Sequence, residues 1–170
     1  MQDAKDRLSV PASDSASILV QWMSALDANN AGFVHGGVIM RLCDEVAGIA
    51  AVRHSGLRVV TAAMDRMIFV SPIHIGELVS CRAQVNAAWN TSMEVGVKVE
   101  AENPLTREVR HASTAYLTMV AVDDTGHPIA VPGIIASSSE ELRRQSEAEI
   151  RRNNRLIERE QLTEHRRRNH

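Results

Sequence analysis

Residues 29–53 read NNAGFVHGGVIMRLCDEVAGIAAVR. The first part is loop chemistry: the stretch 25–32 (ALDANNAG) offers Asp, two Asn and a Gly, residues that form turns through their own side chains or tolerate unusual backbone angles. The part that follows, by its length, its Ala and Leu content and its lack of Pro, predicts a helix from about residue 37 to 53, stopped by His54, Ser55 and Gly56. Val38, Ile39, Leu42, Cys43, Val46, Ala47, Ile49 and Ala50 leave little of its circumference polar. Such a helix is expected to be buried nearly all round, wrapped by a curled sheet and closed on the open side by a second subunit.

Working outward, residues 18–23 (ILVQWM) predict a first strand before the loop. Beyond the helix the pattern turns to β. Residues 57–70 predict one long strand, broken by Ser71, Pro72 and Gly76; residues 78–89 and 93–102 follow, joined by Asn90-Thr91-Ser92. In the latter, Val95, Val97 and Val99 alternate with Glu94, Lys98 and Glu100. Residues 109–122 predict the last long strand, ended by Asp123-Asp124-Thr125-Gly126. One strand, one helix and four late strands with short connections predict an α+β domain whose antiparallel sheet packs on a single helix.

Residues 1–15 are polar, with Pro11 and several Ser, and predict a flexible lead-in to a domain spanning residues 16–133. Residues 134–170 predict a charged helical tail. It is dense in Glu and Arg, a capped start is expected near Ser139, and Leu142, Ile150, Ile157 and Leu162 form only a thin stripe. A solvated helix that frays into a basic end is the simpler expectation; an oligomer-contact helix is the sharper one.

A formal net charge of −2 gives no general attraction to nucleic acid. The apolar run 36–52 is interrupted by Arg41, Asp44 and Glu45, so no membrane span is expected, and the first residues, MQDAKDRLSV, have no secretory h-region. Cys43 and Cys81 lie far apart and match no metal spacing, which predicts two reduced, buried thiols in a cytoplasmic protein with no metal site.

The chemistry gathers at the helix start. Gly36 and Gly37 stand where a helix N-terminus leaves backbone N–H groups unpaired and lets a ligand approach closely. Asn29 or Asn30 could add a side-chain amide to the same carbonyl. Asp44 lies about two turns beyond Gly37 on the same face, and an acid on so apolar a helix costs free energy unless its charge is used or paired. It could serve as general base or as nucleophile; the bland alternative is an ion pair with Arg41, Arg53 or Arg66. For the glycines and asparagines the bland alternative is an ordinary tight turn. Glu45 is a rival acid, but it points about 100° away. No nucleophile elbow or Ser-His-Asp order is present.

The ordered set Asn29, Gly32-Phe33-Val34-His35-Gly36-Gly37-Val38-Ile39-Met40 and Asp44-Glu45-Val46-Ala47-Gly48 resembles the hotdog-fold acyl-CoA hydrolases of the cytosolic and brain type and their bacterial single-domain relatives. Val59-Val60-Thr61-Ala62, Phe69-Val70-Ser71-Pro72, Gly76-Glu77-Leu78-Val79, Thr91-Ser92-Met93-Glu94-Val95 and Val131-Pro132 extend the likeness over residues 16–133. The resemblance implies a five-stranded antiparallel sheet around the central helix, homodimers, and often trimers of dimers, hence hexamers. It implies hydrolysis of acyl-CoA to free acid and CoA, a step in lipid metabolism, with no cofactor because CoA belongs to substrate and product. Carried over, Asn29 and Asp44 face each other from different protomers, and Gly37 gives its N–H to the thioester carbonyl. Gly36, His35, Thr91 and Ser92 are substrate-binding candidates, and Arg66 is one by charge alone. The competing readings are a hotdog enoyl-CoA hydratase and a non-catalytic acyl-CoA-binding module. The hydratase chemistry needs a His near the acid, and the first one after Asp44 is His54.

Overall fold

The computed structural model describes residues 8–65 and 67–168. The strands are β1 (Ser9–Pro11), β2 (Ser17–Trp22), β3 (Arg58–Met64), β4 (Ile68–Phe69), β5 (Leu78–Ala88), β6 (Ser92–Glu102), β7 (Val109–Val122) and β8 (Gly133–Ile135). The helices are α1 (Gly36–Ser55) and α2 (Ser139–Arg168). The main sheet runs β2-β5-β6-β7-β3, antiparallel throughout, with β4 continuing the β3 edge along β7. This is the α+β arrangement the resemblance implies.

The inward row of the sheet is small and branched: Cys81, Ala83 and Val85 on β5, Val95, Val97 and Val99 on β6, Ala115, Leu117 and Met119 on β7, all buried. These close on Ile39, Leu42, Cys43, Val46, Ala47 and Ala50 of α1. Each fully buried Val, Leu or Ile contributes about 1.5–3 kcal/mol. With so few aromatics, many modest side chains stand in for a few large ones. Gly56 ends α1 in the left-handed region (φ 67°) and donates its N–H to the carbonyl of Val52 at 2.8 Å.

Three expectations need correction and one takes definite form. First, the side of α1 expected to await a second subunit is open within one protomer. Met40 (43% exposed), Ile49 (44%) and Val52 (46%) lie open together with Arg41, Asp44 and Glu45, because the sheet curls around only part of the helix. Second, the segment 57–70 is two strands. A bulge between Thr61 and Ala63 shifts the register, and the strand breaks between Met64 and Ile68. Third, residues 1–7 of the expected lead-in lie outside the described residues, but Ser9–Pro11 pairs in parallel with Gly133–Ile135, and the hydroxyl of buried Ser15 accepts the N–H of Val85 at 2.9 Å. Fourth, the tail does not begin as a solvated helix. Its start is set at Ser138, whose Oγ accepts from the Glu141 N–H while the Glu141 carboxylate accepts from the N–H groups of Ser137 and Ser138. From there to Arg155 it lies on the outer face of the sheet.

One ion pair fixes the loop below the helix start. Glu77, 6% exposed, takes two hydrogen bonds from Arg110 at 2.6 and 2.7 Å and a third from the N–H of His74 at 2.7 Å; Arg110 also donates to the carbonyl of Pro72. Arg110 holds the Glu77 carboxyl below the usual carboxylate range, against the opposing effect of burial. A depressed folded-state pKa adds stability that is complete above the unfolded value and is lost as pH falls through the folded one. Glu77→Gln is therefore expected to cost about 2 kcal/mol at neutral pH. In paired melts the gap to wild type should close as pH drops below about 4. A gap independent of pH would show that packing, not charge, is what Glu77 supplies.

Candidate functional site

Asn29 sits in a closed loop. Its N–H donates to the carbonyl of Phe33 at 2.7 Å, and its Oδ1 accepts from the N–H groups of Ala31 (2.8 Å) and Phe33 (3.2 Å). The amide oxygen is committed to the loop, which leaves the NH2 as the group able to donate to a ligand. Asn29 and Gly36 line a cavity of about 350 Å³ with Phe33, Ile39, Phe69 and Ser71, whereas Asn30 is exposed and not in its lining. The Phe69 ring packs so near Gly36 that a Cβ there would meet it at 3.4 Å.

His35 is the N-cap of α1, and its Nδ1 accepts the N–H of Gly37 at 3.0 Å. The donor expected to reach a carbonyl is thus held by a neighbouring imidazole. A ligand carbonyl would have to displace that contact or share it.

Asp44 is exposed, and of the arginines considered, the two described ones have other partners. Arg41 pairs with Glu45 at 2.7 Å and Arg53 donates to the carbonyl of Ala16 at 2.6 Å; Arg66 lies outside the described residues. Instead Thr61 Oγ1 donates to Asp44 Oδ1 at 2.5 Å. Thr61 is the neighbour of Asp44 that reasoning from sequence did not single out. A hydroxyl on the edge strand turns inward only because Thr61 stands opposite Met119 just before the bulge. Beside this pair lie the open apolar groups of α1, and the outer edge of β3 has no strand partner among the described residues.

The structure does not join Asn29 to Asp44 within one protomer. Asp44 is absent from the cavity lining, and the helix rise from Gly36 to Asp44 is about 12 Å. Thr91 and Ser92 are half-buried at the β5–β6 turn, held by the Ala121 N–H on the carbonyl of Thr91 and by Trp89 N–H on that of Ser92. The register places Ser92 opposite Val120, which faces Val60, so this turn lies two strands from Thr61.

His54, at the end of α1, is 2% exposed. Its Nδ1 has no partner among the described residues, and burial pushes its pKa down. Cys43, next to Asp44, shares a hydrogen bond with Cys81, and that contact together with burial raises its thiol far above the usual range, which removes it as a nucleophile. Among the described residues no cluster suits a metal ion, and no helix is long and apolar enough to cross a membrane. A second cavity, about 700 Å³, lies on the outer sheet face under α2, and most cations lining it are already paired: Arg82 and Lys98 with Glu100, Arg143 with Glu147, Arg144 with Glu140.

Comparison with known proteins bears directly on this geometry. The thioesterase superfamily profile matches residues 31–108, from the Asn29 loop through β6. An uncharacterized acyl-CoA thioester hydrolase of Bacillus subtilis is 38% identical over 130 residues, 76% of each chain. The rat cytosolic acyl coenzyme A thioester hydrolase is 34% identical over 81% of this chain, which spans 36% of that longer protein. Among solved structures, an apo-hexameric acyl-CoA thioesterase superposes with a TM-score of 0.86 at 34% identity, covering 89% of this chain and 97% of the other. The Staphylococcus aureus acyl-CoA hydrolase, solved with butyryl coenzyme A, coenzyme A and coenzyme A disulfide, gives 0.83 at 33% identity, over 92% and 98%. With the curled sheet and central helix superposing on such enzymes and the sequence matching them over most of its length, this chain belongs to the thioesterase superfamily and is one of its acyl-CoA thioester hydrolases.

Proposed function

We propose that the chain hydrolyses acyl-CoA thioesters to a carboxylic acid and CoA in a site built by two protomers. The observation that carries this is the separation of Asn29 from Asp44 within one chain, beside an open apolar face around Asp44 and Thr61. Two protomers related by a two-fold axis would cover that face and bring Asn29 of one protomer toward Asp44 of the partner subunit, twice per dimer. Alanine has been placed at an asparagine, an aspartate and a threonine of the Staphylococcus aureus hydrolase, at positions with the same spacing as Asn29, Asp44 and Thr61 here. The apo-hexameric neighbour supports a trimer of such dimers.

The Asn29 NH2 polarises the thioester carbonyl, with the Gly37 N–H joining once the His35 contact yields. The Asp44 carboxylate, oriented by Thr61, takes a proton from water as oxygen attacks the carbonyl carbon. Collapse of the tetrahedral intermediate breaks the C–S bond, and the proton leaves with the CoA thiolate. Direct attack by Asp44 would give a mixed anhydride that water then opens; it uses the same residues. Neither route needs a metal or cofactor. Thr91 and Ser92 are our candidates, by resemblance, for contact with the CoA part of the substrate, and the buried thiols fit a cytoplasmic setting. The hydratase reading has little to stand on: His54 is about 15 Å along the helix from Asp44 and buried against Pro132.

Release of CoA thiol from a panel of acyl-CoAs tests the reading. Thr61→Ala is expected to keep the KM of the best substrate and lower kcat about ten- to hundredfold, because it loosens the base without touching the carbonyl donors. Wild type inert on every acyl-CoA would overturn the proposal.

A further inference from the structure

Helix α2 has no role in the chemistry just described, yet its last contact with the domain falls at the end of the strand that carries Thr61. The outer face of the sheet holds a buried carboxylate, Glu94 on β6, 0% exposed. Asn86 Nδ2 donates to it at 3.2 Å from β5, and Arg151 of α2 donates through Nε at 3.1 Å and Nη2 at 2.7 Å. The Arg151 guanidinium also stacks 3.6 Å from the centre of the Tyr116 ring. One turn further, Arg155 Nη1 lies 3.6 Å from Glu94 and donates to Asp65 Oδ2 at 2.5 Å. Asp65 immediately follows β3, and its N–H donates to the carbonyl of Tyr116 at 2.8 Å. Beyond Arg155 every described residue of α2 is exposed.

We infer that α2 is a clasp for the strand that orients the base, and that Arg155, acting through Asp65, is a positioning residue for the Thr61–Asp44 pair. This rests on the reading of Asp44 given above. The physical need is plain. Among the described residues β3 is bonded along one side only, to β7, and its register shifts at the bulge at residues 61–63. Its far end breaks off after Met64. Without Arg155, the described contact left at the exit of β3 is the Asp65 N–H bond, four residues from the hydroxyl that fixes the base. Arg155 is not what keeps α2 on the sheet. Arg151 on Glu94, Trp89 Nε1 on Glu149 (2.7 Å) and Gln84 on Glu141 (2.9 Å) do that, so the clasp can be released without undocking the helix.

The test compares Arg155→Gln, Arg155→Lys, Asp65→Asn and the Gln/Asn double variant in the full chain. Arg155→Gln is expected to lower kcat about ten- to hundredfold with KM within about twofold. The double variant should be no worse than the worse single one, and Arg155→Lys, which can still give one hydrogen bond to Asp65, should recover most of the rate. Hydrogen exchange should rise across Arg58–Met64 in Arg155→Gln and stay at wild-type level across residues 141–151. Wild-type kcat and wild-type β3 exchange in Arg155→Gln would overturn the inference. A wild-type enzyme that hydrolyses no acyl-CoA would overturn the functional reading instead, and the exchange measurement would still decide whether the clasp exists.

Discussion

Asp44→Ala is expected to lower kcat for the best acyl-CoA by about two to four orders of magnitude, the range for loss of a positioned general base. Asn29→Ala should fall as far by the other route, through loss of a donor to the developing oxyanion. Neither substitution should unfold the protein: Asp44 is exposed in the protomer, and Asn29 contributes only its loop bonds. The more decisive result comes from mixing them. If each site takes Asn29 from one protomer and Asp44 from its partner, a mixed dimer contains one site with both groups intact and one with neither. Random reassortment makes half the dimers mixed, so two inactive proteins, unfolded and refolded together, should regain about a quarter of wild-type activity. If each site lay within a single chain, the mixture would stay inactive, because every chain carries one lesion. Size measurement on the mixture separates failed reassortment from a true negative.

How much of this could be read from the chain differs by element. The helix with its glycine start and its acid was legible because its signals are local: turn residues, two glycines, a Pro-free apolar run. The late strands were legible through alternation, most clearly in β6, where Val95, Val97 and Val99 face the helix. The break in residues 57–70 was not, since a bulge leaves composition unchanged and only the partner strand reveals it. Thr61 was hidden for that reason: its inward aim follows from register with Met119. The open face of α1 was expected as the side a second subunit closes, but its extent was not legible, because an apolar stripe looks the same whether a sheet or another protomer covers it. The tail misled most. Its arginines read as a solvated face, and the acid they serve, Glu94, stands some sixty residues earlier on an outward strand position where a charge is unremarkable. Gly96 carried a faint signal. A Cβ there would meet Asn86 Nδ2 at 2.6 Å, so the gap in the outward row makes room for the side chain that helps bind Glu94.

That buried carboxylate sets up the largest expected stability effect. Arg151→Ala removes the two-point partner of Glu94 and leaves a 0% exposed charge with Asn86 and a more distant Arg155. Breaking a buried pair from one side costs about 3–5 kcal/mol, because desolvation of the remaining charge is no longer offset. For a domain of this size that corresponds to a fall in Tm of roughly 10 °C. The companion variant separates charge from packing. Glu94→Gln combined with Arg151→Met removes both charges and keeps most of the volume, and it should recover much of the loss, since neutral replacements of buried pairs are often tolerated. Arg155→Gln should cost far less, because Asp65 and Arg155 are each partly reached by water and can re-solvate. A small cost for Arg151→Ala would mean that water reaches Glu94 and that α2 lifts easily from the sheet, and the clasp would then have no anchor. A large cost, recovered in the neutral pair, would make the first half of α2 part of the folded domain, with the exposed remainder beginning where Arg155 ends its reach to β3.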